Sequence, residues 1–218
     1  MIIFEKTSFY LKRIRERIYR NYIRKKNYNK SFTIISNNCW GGSVYEDLDL
    51  AYTTPTVGLF FYGPCYIKFL SNLKYYLSQD IVFVDKSSYQ IANEDRSNSG
   101  LFYPIGKLDD IEIHFLHYHS ELDASEKWNR RKDRINFDNL FVAFAQNELV
   151  DYELMNSFDN LDYNNKVIFS SQNFENLNSL VWIKDRQGFD NVGDIYTNKN
   201  IWRKEFDVVK WLNDGRSK

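Results

Sequence analysis

Cys39 stands in Ser36-Asn-Asn-Cys-Trp-Gly-Gly42, where amides, a thiol and paired glycines directly follow a β-branched apolar run. On a turn at a strand end the thiol would be presented to a ligand, and the Gly41 and Gly42 amides would bind an anion or an oxyanion. Glycine also lets a substrate approach the backbone closely. Asn37 and Asn38 add short hydrogen-bonding groups, and Trp40 offers a face for a sugar or nucleobase. The grouping suits the donor cradle of a group-transfer enzyme, acyl transfer in particular. An inert buried thiol on a chain reversal would leave the same string.

All three histidines fall in His114-Phe-Leu-His117-Tyr-His119. On a strand His117 and His119 share one face and His114 takes the other, so the three converge only if the chain bends. His117, nearest the strand end, is the candidate general base for an acceptor hydroxyl, and a partner for Cys39 if the two are close. Cys39 with two histidines has zinc-ligand chemistry, but the spacing fits no structural-zinc pattern, and no metal is expected. In Trp128-Asn-Arg-Arg-Lys-Asp-Arg-Ile135, Trp128, Arg131 and Ile135 share one helical face. Arg131 would then turn inward to hold a phosphate or carboxylate, with Arg134 on the adjacent face. The alternative is a solvated, salt-bridged helix with a packed tryptophan. The chain has no P-loop, no GxGxxG, no GxSxG and no Asp-x-Asp pair, so the sequence names no cofactor.

Short apolar runs at residues 31–36, 81–84, 110–117, 140–144, 166–170 and 180–183 read as strands. Helices are predicted at residues 45–50, from Pro64 to Leu77, from the Ser120 capping box to Arg134, at residues 148–158 and around Phe206, Val209 and Leu212. In the Pro64 helix, Ile67, Leu70, Leu73 and Leu77 form the inward stripe, while residues 37–42 read as a tight turn and the polar stretch 85–100 as an exposed loop. The alternation predicts an α/β fold, layered α/β/α with a mainly parallel sheet, whose ligands would sit at the strands' carboxyl ends.

Residues 1–30 carry ten basic and two acidic side chains, whereas the remaining 188 residues carry 19 and 27. Leu11, Ile14, Ile18 and Tyr22 make one apolar stripe on a helix otherwise rich in Arg and Lys. Such a basic amphipathic helix either packs on the acidic body of residues 31–218, read as a single domain, or contacts an anionic membrane. No nucleic-acid partner is expected, because the acidic body repels phosphates. Charged residues at 27% and aromatics at 17% exclude a disordered chain. Two cysteines cannot form a disulfide framework, Cys65 reads as structural, and no apolar run nears the roughly 18 residues of a spanning helix. The expectation is a cytoplasmic protein, peripheral at most at the inner membrane face.

Phe32-Thr-Ile-Ile-Ser-Asn-Asn-Cys-Trp-Gly-Gly, then Tyr52, Pro55-Thr-Val-Gly-Leu-Phe and Ile67-Lys-Phe-Leu, resembles a bacterial family called domain of unknown function 1919. Tyr103-Pro-Ile-Gly, His117-Tyr, Trp128-Asn-Arg-Arg and Arg134-Ile-Asn follow in the family's order, up to Trp211-Leu-Asn. Members are commonly labelled exopolysaccharide or capsule biosynthesis proteins, and the resemblance implies an α/β fold and a place in surface-glycan assembly. Together these readings predict a transferase that joins an acyl, glycosyl or phosphoryl group from an activated sugar or acyl donor to a glycan acceptor. The alternative is a non-catalytic protein that binds glycan or a lipid-linked intermediate in the assembly machinery.

Overall fold

β1 (Thr33–Ser36), β5 (Leu140–Ala145), β6 (Asn165–Ser170) and β7 (Leu180–Trp182) lie side by side in that order, every neighbouring pair parallel. A second sheet joins β2 (Val82–Val84), β3 (Ile105–Leu108) and β4 (Ile111–His114) antiparallel. The computed structural model describes the backbone of residues 2–215 and the side chains of residues 10–215. The helices are α1 (Ile2–Lys26), α2 (Trp40–Leu48), α3 (Gly63–Ser71), α4 (Leu73–Ser78), α5 (Gln90–Ser99), α6 (Glu121–Lys132), α7 (Tyr152–Asp159), α8 (Asn200–Arg203) and α9 (Val208–Asp214).

Strand alternation divides the core in two. Ile34, Phe141, Ala143, Val167 and Phe169 face one way, onto α1, α2, α8 and α9. Ile35, Val142, Phe144 and Ile168 face the other, onto α3, α4, α6, α7 and the small sheet. The fold is therefore α/β, with a four-stranded parallel sheet covered on both faces, as parallel sheets require. Side-chain caps start three of the helices: Ser120 Oγ accepts from Asp123 N–H at 3.1 Å, Asp151 Oδ1 from Leu154 N–H at 2.9 Å, and Asp207 Oδ1 from Val209 N–H at 3.0 Å.

Four local expectations are corrected. The stretch read as a loop at residues 85–100 contains α5, whose buried anchor is Ala92 and whose end is Gly100 in the left-handed region. Polarity hid it, because a helix that buries one alanine shows no apolar stripe. The helix from Pro64 breaks at Asn72, whose φ of −142° and ψ of 55° separate α3 from α4. The strand read through residue 117 stops at His114 and pairs with β3, which went unread because Ile105-Gly-Lys-Leu108 is short and interrupted by glycine. Finally, α2 begins at Trp40, so Gly41 and Gly42 are helical rather than part of a turn.

The first helix docks by an unexpected face. Leu11, Ile14, Ile18 and Tyr22 are exposed, while Ile23 and Asn27 on the opposite side are buried. An ionic cluster holds that side to the body. Buried Asp47 lies 3.0 Å from Arg20 Nε, 2.9 Å from Lys199 Nζ and 2.9 Å from Arg203 Nη2, and Arg203 Nη1 reaches Glu16 at 2.7 Å. Arg24 donates to the Asp47 carbonyl at 2.8 Å, and the Arg203 guanidinium lies 3.8 Å from the Tyr19 ring centroid. Leaving the apolar stripe in water forgoes roughly 1.5–3 kcal/mol for each large side chain that could have been buried. Glu5 and Lys6 of the basic segment lie outside the described side chains.

Candidate functional site

Where β1 ends, the chain uses its own side chains to shape the exit. Asn37, fully buried, continues the pairing with β5: its Nδ2 donates to Ala145 O and its Oδ1 accepts from Ala145 N–H, both at 2.9 Å. Ser36 Oγ donates to Asn38 O at 2.7 Å and accepts from Gly41 N–H at 3.1 Å, and Asn38 Oδ1 accepts from Trp40 N–H at 3.0 Å. Two of the amides at the start of α2 are thus already satisfied within the protein. Gly41 is required by proximity, since a Cβ there would lie 2.6 Å from Ser36 Oγ.

Cys39 precedes α2, half-buried, with Sγ 3.9 Å from Leu59 O. Burial pushes its thiol up to about 11; the Asp194 charge adds to the rise, and a hydrogen bond from the Gly58 backbone opposes it. The thiol is therefore protonated at neutral pH.

Cys39 and Asn38 open onto a cavity of about 270 Å³ beyond the carboxyl ends of the parallel strands. Asn147 and Glu148, just past β5, line it from one side; Asn191, Asp194 and Tyr196, past β7, line it from another. Leu59, Phe60 and Leu116 complete the wall. Among the described residues, no lysine or arginine borders it. Among the described residues, the buried Nδ2 and Oδ1 of Asn147 meet no protein partner. An amide held that way costs stability until a ligand or water bonds it. Asp194 caps its own turn, accepting from Tyr196 N–H at 3.1 Å, Thr197 N–H at 3.0 Å and the Thr197 hydroxyl. Glu148 is exposed, and among the described residues its carboxylate accepts a single long hydrogen bond, from Asn191 Nδ2 at 3.4 Å. It is the carboxylate with free lone pairs.

The remaining candidates from the sequence lie elsewhere. Trp40 is 1% exposed, its ring centroid 4.9 Å from that of Phe169 and 5.9 Å from that of Trp211. Trp128 is equally enclosed, between Phe69 and Phe115. Gly42 packs inside α2 against Val57. Arg131 Nη1 donates to Tyr118 Oη at 2.6 Å and Val57 O at 3.4 Å, with its guanidinium 5.2 Å from the Tyr52 ring centroid. Arg134 reaches Tyr52 O at 3.5 Å and is exposed. His117 is exposed, and its backbone N–H donates to Gly58 O at 3.0 Å. Cys39, His117 and Arg131 thus all touch residues 57–59, but of the three only Cys39 lines the cavity. Gly58 makes this segment possible, with φ at +71° and a Cβ position 3.2 Å from that of His117.

A second polar cluster sits behind Phe60. Glu112 and His114, each about 1% exposed, place Oε1 2.8 Å from Nε2, a close contact whose angle falls short of a straight hydrogen bond. Glu112 also accepts from Ser87 Oγ, from Ser88 N–H at 2.9 Å and from Ser88 Oγ at 2.7 Å. The rings of Phe60, Tyr62 and Tyr103 surround His114.

Asn147, Glu148, Asn191 and Asp194 escaped the sequence reading, although a signal for the first two was present. Asn147 and Glu148 follow a strand that the sequence does reveal, and the strand-end rule applies to it as well as to β1. For Asn191 and Asp194 the only cue was a polar stretch after β7.

An uncharacterized protein of Haemophilus influenzae (strain ATCC 51907 / DSM 11121 / KW20 / Rd) is 35% identical over 195 residues, 88% of each chain. A family model described as domain of unknown function (DUF1919) matches residues 10–213. The chain belongs to that family.

Proposed function

We propose that the protein is a transferase of bacterial exopolysaccharide or capsule assembly, and that the cavity beyond β1, β5 and β7 holds the acceptor sugar. The observation that carries this reading is the cavity's lining: Asn38, Asn147 and Asn191 amides, two carboxylates and the Phe60 and Tyr196 rings, with no cation among the described residues. Amides and carboxylates match sugar hydroxyls, and rings match the apolar face of a pyranose. A bare phosphate would meet Glu148 and Asp194 as like charges. In this reading the Asn147 side chain, whose buried amide meets no protein partner among the described residues, turns toward the cavity to bond a polyhydroxylated ligand.

In this reading Glu148 takes the proton of the acceptor hydroxyl. The acceptor oxygen forms its bond to the transferred group as the donor's bond to its leaving group breaks, and the leaving group departs with that electron pair. Glu148 displaces His117 as base because it borders the cavity. The donor is an activated sugar or acyl carrier, and exposed Arg134, two residues past the end of α6, is the cation that would meet an anionic portion of it. Arg131 braces the 52–57 segment instead.

The protonated Cys39 thiol favours a second reading, a protein that binds glycan without transforming it. Complementation of a deletion strain separates the two, read by mass spectrometry of its surface polysaccharide. If the protein is a transferase, Glu148→Gln and Asn147→Ala both fail to restore the missing substituent. If it only binds, Glu148→Gln restores the polysaccharide and Asn147→Ala does not. A deletion strain with unaltered surface polysaccharide would refute the glycan assignment altogether.

A further inference from the structure

We propose that the outward face of α1 docks on an anionic lipid bilayer, independently of what the cavity binds. A helix on a globular protein normally buries its apolar stripe, whereas α1 buries the opposite side. Glu16, Arg20 and Arg24 are committed to the body through Asp47 and Arg203. Leu11, Ile14, Ile18 and Tyr22 are left 42% to 62% exposed along more than two turns. A row of this length, unlike scattered surface leucines, needs a cover.

Charge decides the occupant. Exposed Arg15 and Lys26 flank the stripe on one side, Arg17 on the other, and Lys25 lies within it near the end of the helix. A second copy seated on this face would bring two sets of these cations together. Anionic headgroups neutralise them while the acyl boundary accepts the apolar side chains, the arrangement of an interfacial helix. No helix among the described residues is long and apolar enough to cross a membrane, so contact would be with the surface only. The body beyond residue 30 has an excess of acidic groups and is repelled by the same lipids. The charge asymmetry therefore sets one orientation, with α1 toward the bilayer.

The test is co-sedimentation of the full chain with vesicles of phosphatidylcholine alone and of phosphatidylcholine mixed with phosphatidylglycerol. The expected result is binding to the mixed vesicles, weakened by added salt, and little to the neutral ones. Arg15→Gln with Arg17→Gln should lower partitioning roughly twentyfold, near fivefold per charge. Ile14→Ser with Ile18→Ser should lower it by more than about tenfold. All four positions are exposed, so unchanged near-ultraviolet dichroism and thermal midpoint confirm that folding is intact. Failure to bind the mixed vesicles, or equal binding by the Ile14→Ser/Ile18→Ser protein, overturns the proposal. So does a wild-type dimer in analytical ultracentrifugation that the same pair of substitutions makes monomeric, since a second copy would then be the cover.

Discussion

At the scale of single residues, environment overrides side-chain type. A cysteine acts as a nucleophile through its thiolate, and a thiol held near 11 by burial and Asp194 is ionised on the order of one part in ten thousand at pH 7. Iodoacetamide should therefore modify Cys39 slowly at neutral pH, with the rate rising about tenfold per pH unit as the thiol's own range is approached. Peptide mass spectrometry follows the reaction, and fast alkylation at pH 7 would restore the nucleophile reading. Glu112 shows the opposite balance. Burial alone would push its carboxyl up, but the contacts from His114, Ser87 and Ser88 outweigh burial and hold it at about 2, against a usual 4.5. A depressed carboxyl stabilises the fold above its unfolded value, and that contribution disappears as pH falls through the folded one. The wild-type protein should thus lose roughly 3 kcal/mol between about pH 4.5 and pH 2 from this group. Glu112→Gln should flatten denaturant-measured stability across that window, and an unchanged slope would show that other carboxylates dominate. None of this is legible in Glu112-Ile-His114 alone, because both serines come from a segment 24 residues or more away.

At the scale of elements, pattern predicts existence well and orientation less well. The four parallel strands and the capped start of α6 follow from β-branched runs and from Ser120-Glu-Leu-Asp123, signals that act locally. The docked face of α1 does not follow, because an apolar stripe ordinarily marks the buried side. Here Asp47, on another helix, outcompetes it. Asp47→Ala would leave the Lys199 and Arg203 cations beside Arg20 without their shared carboxylate, and breaking a buried ionic cluster in this way costs about 3–5 kcal/mol. Half-exposed Arg20 brings the expected value to the lower end. Limited trypsin digestion should then cut the variant faster between residues 20 and 30, where Arg20, Arg24, Lys25, Lys26 and Lys30 supply cleavage sites. Equal digestion rates would mean that Ile23 and Tyr19 suffice to hold the helix.

At the scale of the whole molecule, the cavity belongs to no single segment. Asn38, Phe60, Asn147 and Asn191 are far apart in the chain, and they meet because β5 inserts beside β1 while β6 and β7 extend the sheet. Asn38 and Cys39 could be found from sequence because a single strand end carries them. Their partners needed the strand order, which no local spacing encodes. The same construction makes ligand binding report on the entire fold, since a site drawn from four segments exists only in the native state. A sugar present at a hundred times its dissociation constant would add about 2.7 kcal/mol to stability. For a chain of this size that corresponds to a rise in melting temperature of roughly 5–10 °C. Neutral hexoses and N-acetylhexosamines should produce such a shift, and uronic acids a smaller one, because their carboxylates approach Glu148 and Asp194. Asn147→Ala should abolish the shift while leaving the ligand-free melting temperature unchanged or raised, since it removes an amide that had no partner. If inorganic phosphate or the uronic acids stabilised the protein more than neutral sugars did, the cavity would be an anion site, and the assignment of its carboxylates to sugar hydroxyls would fall.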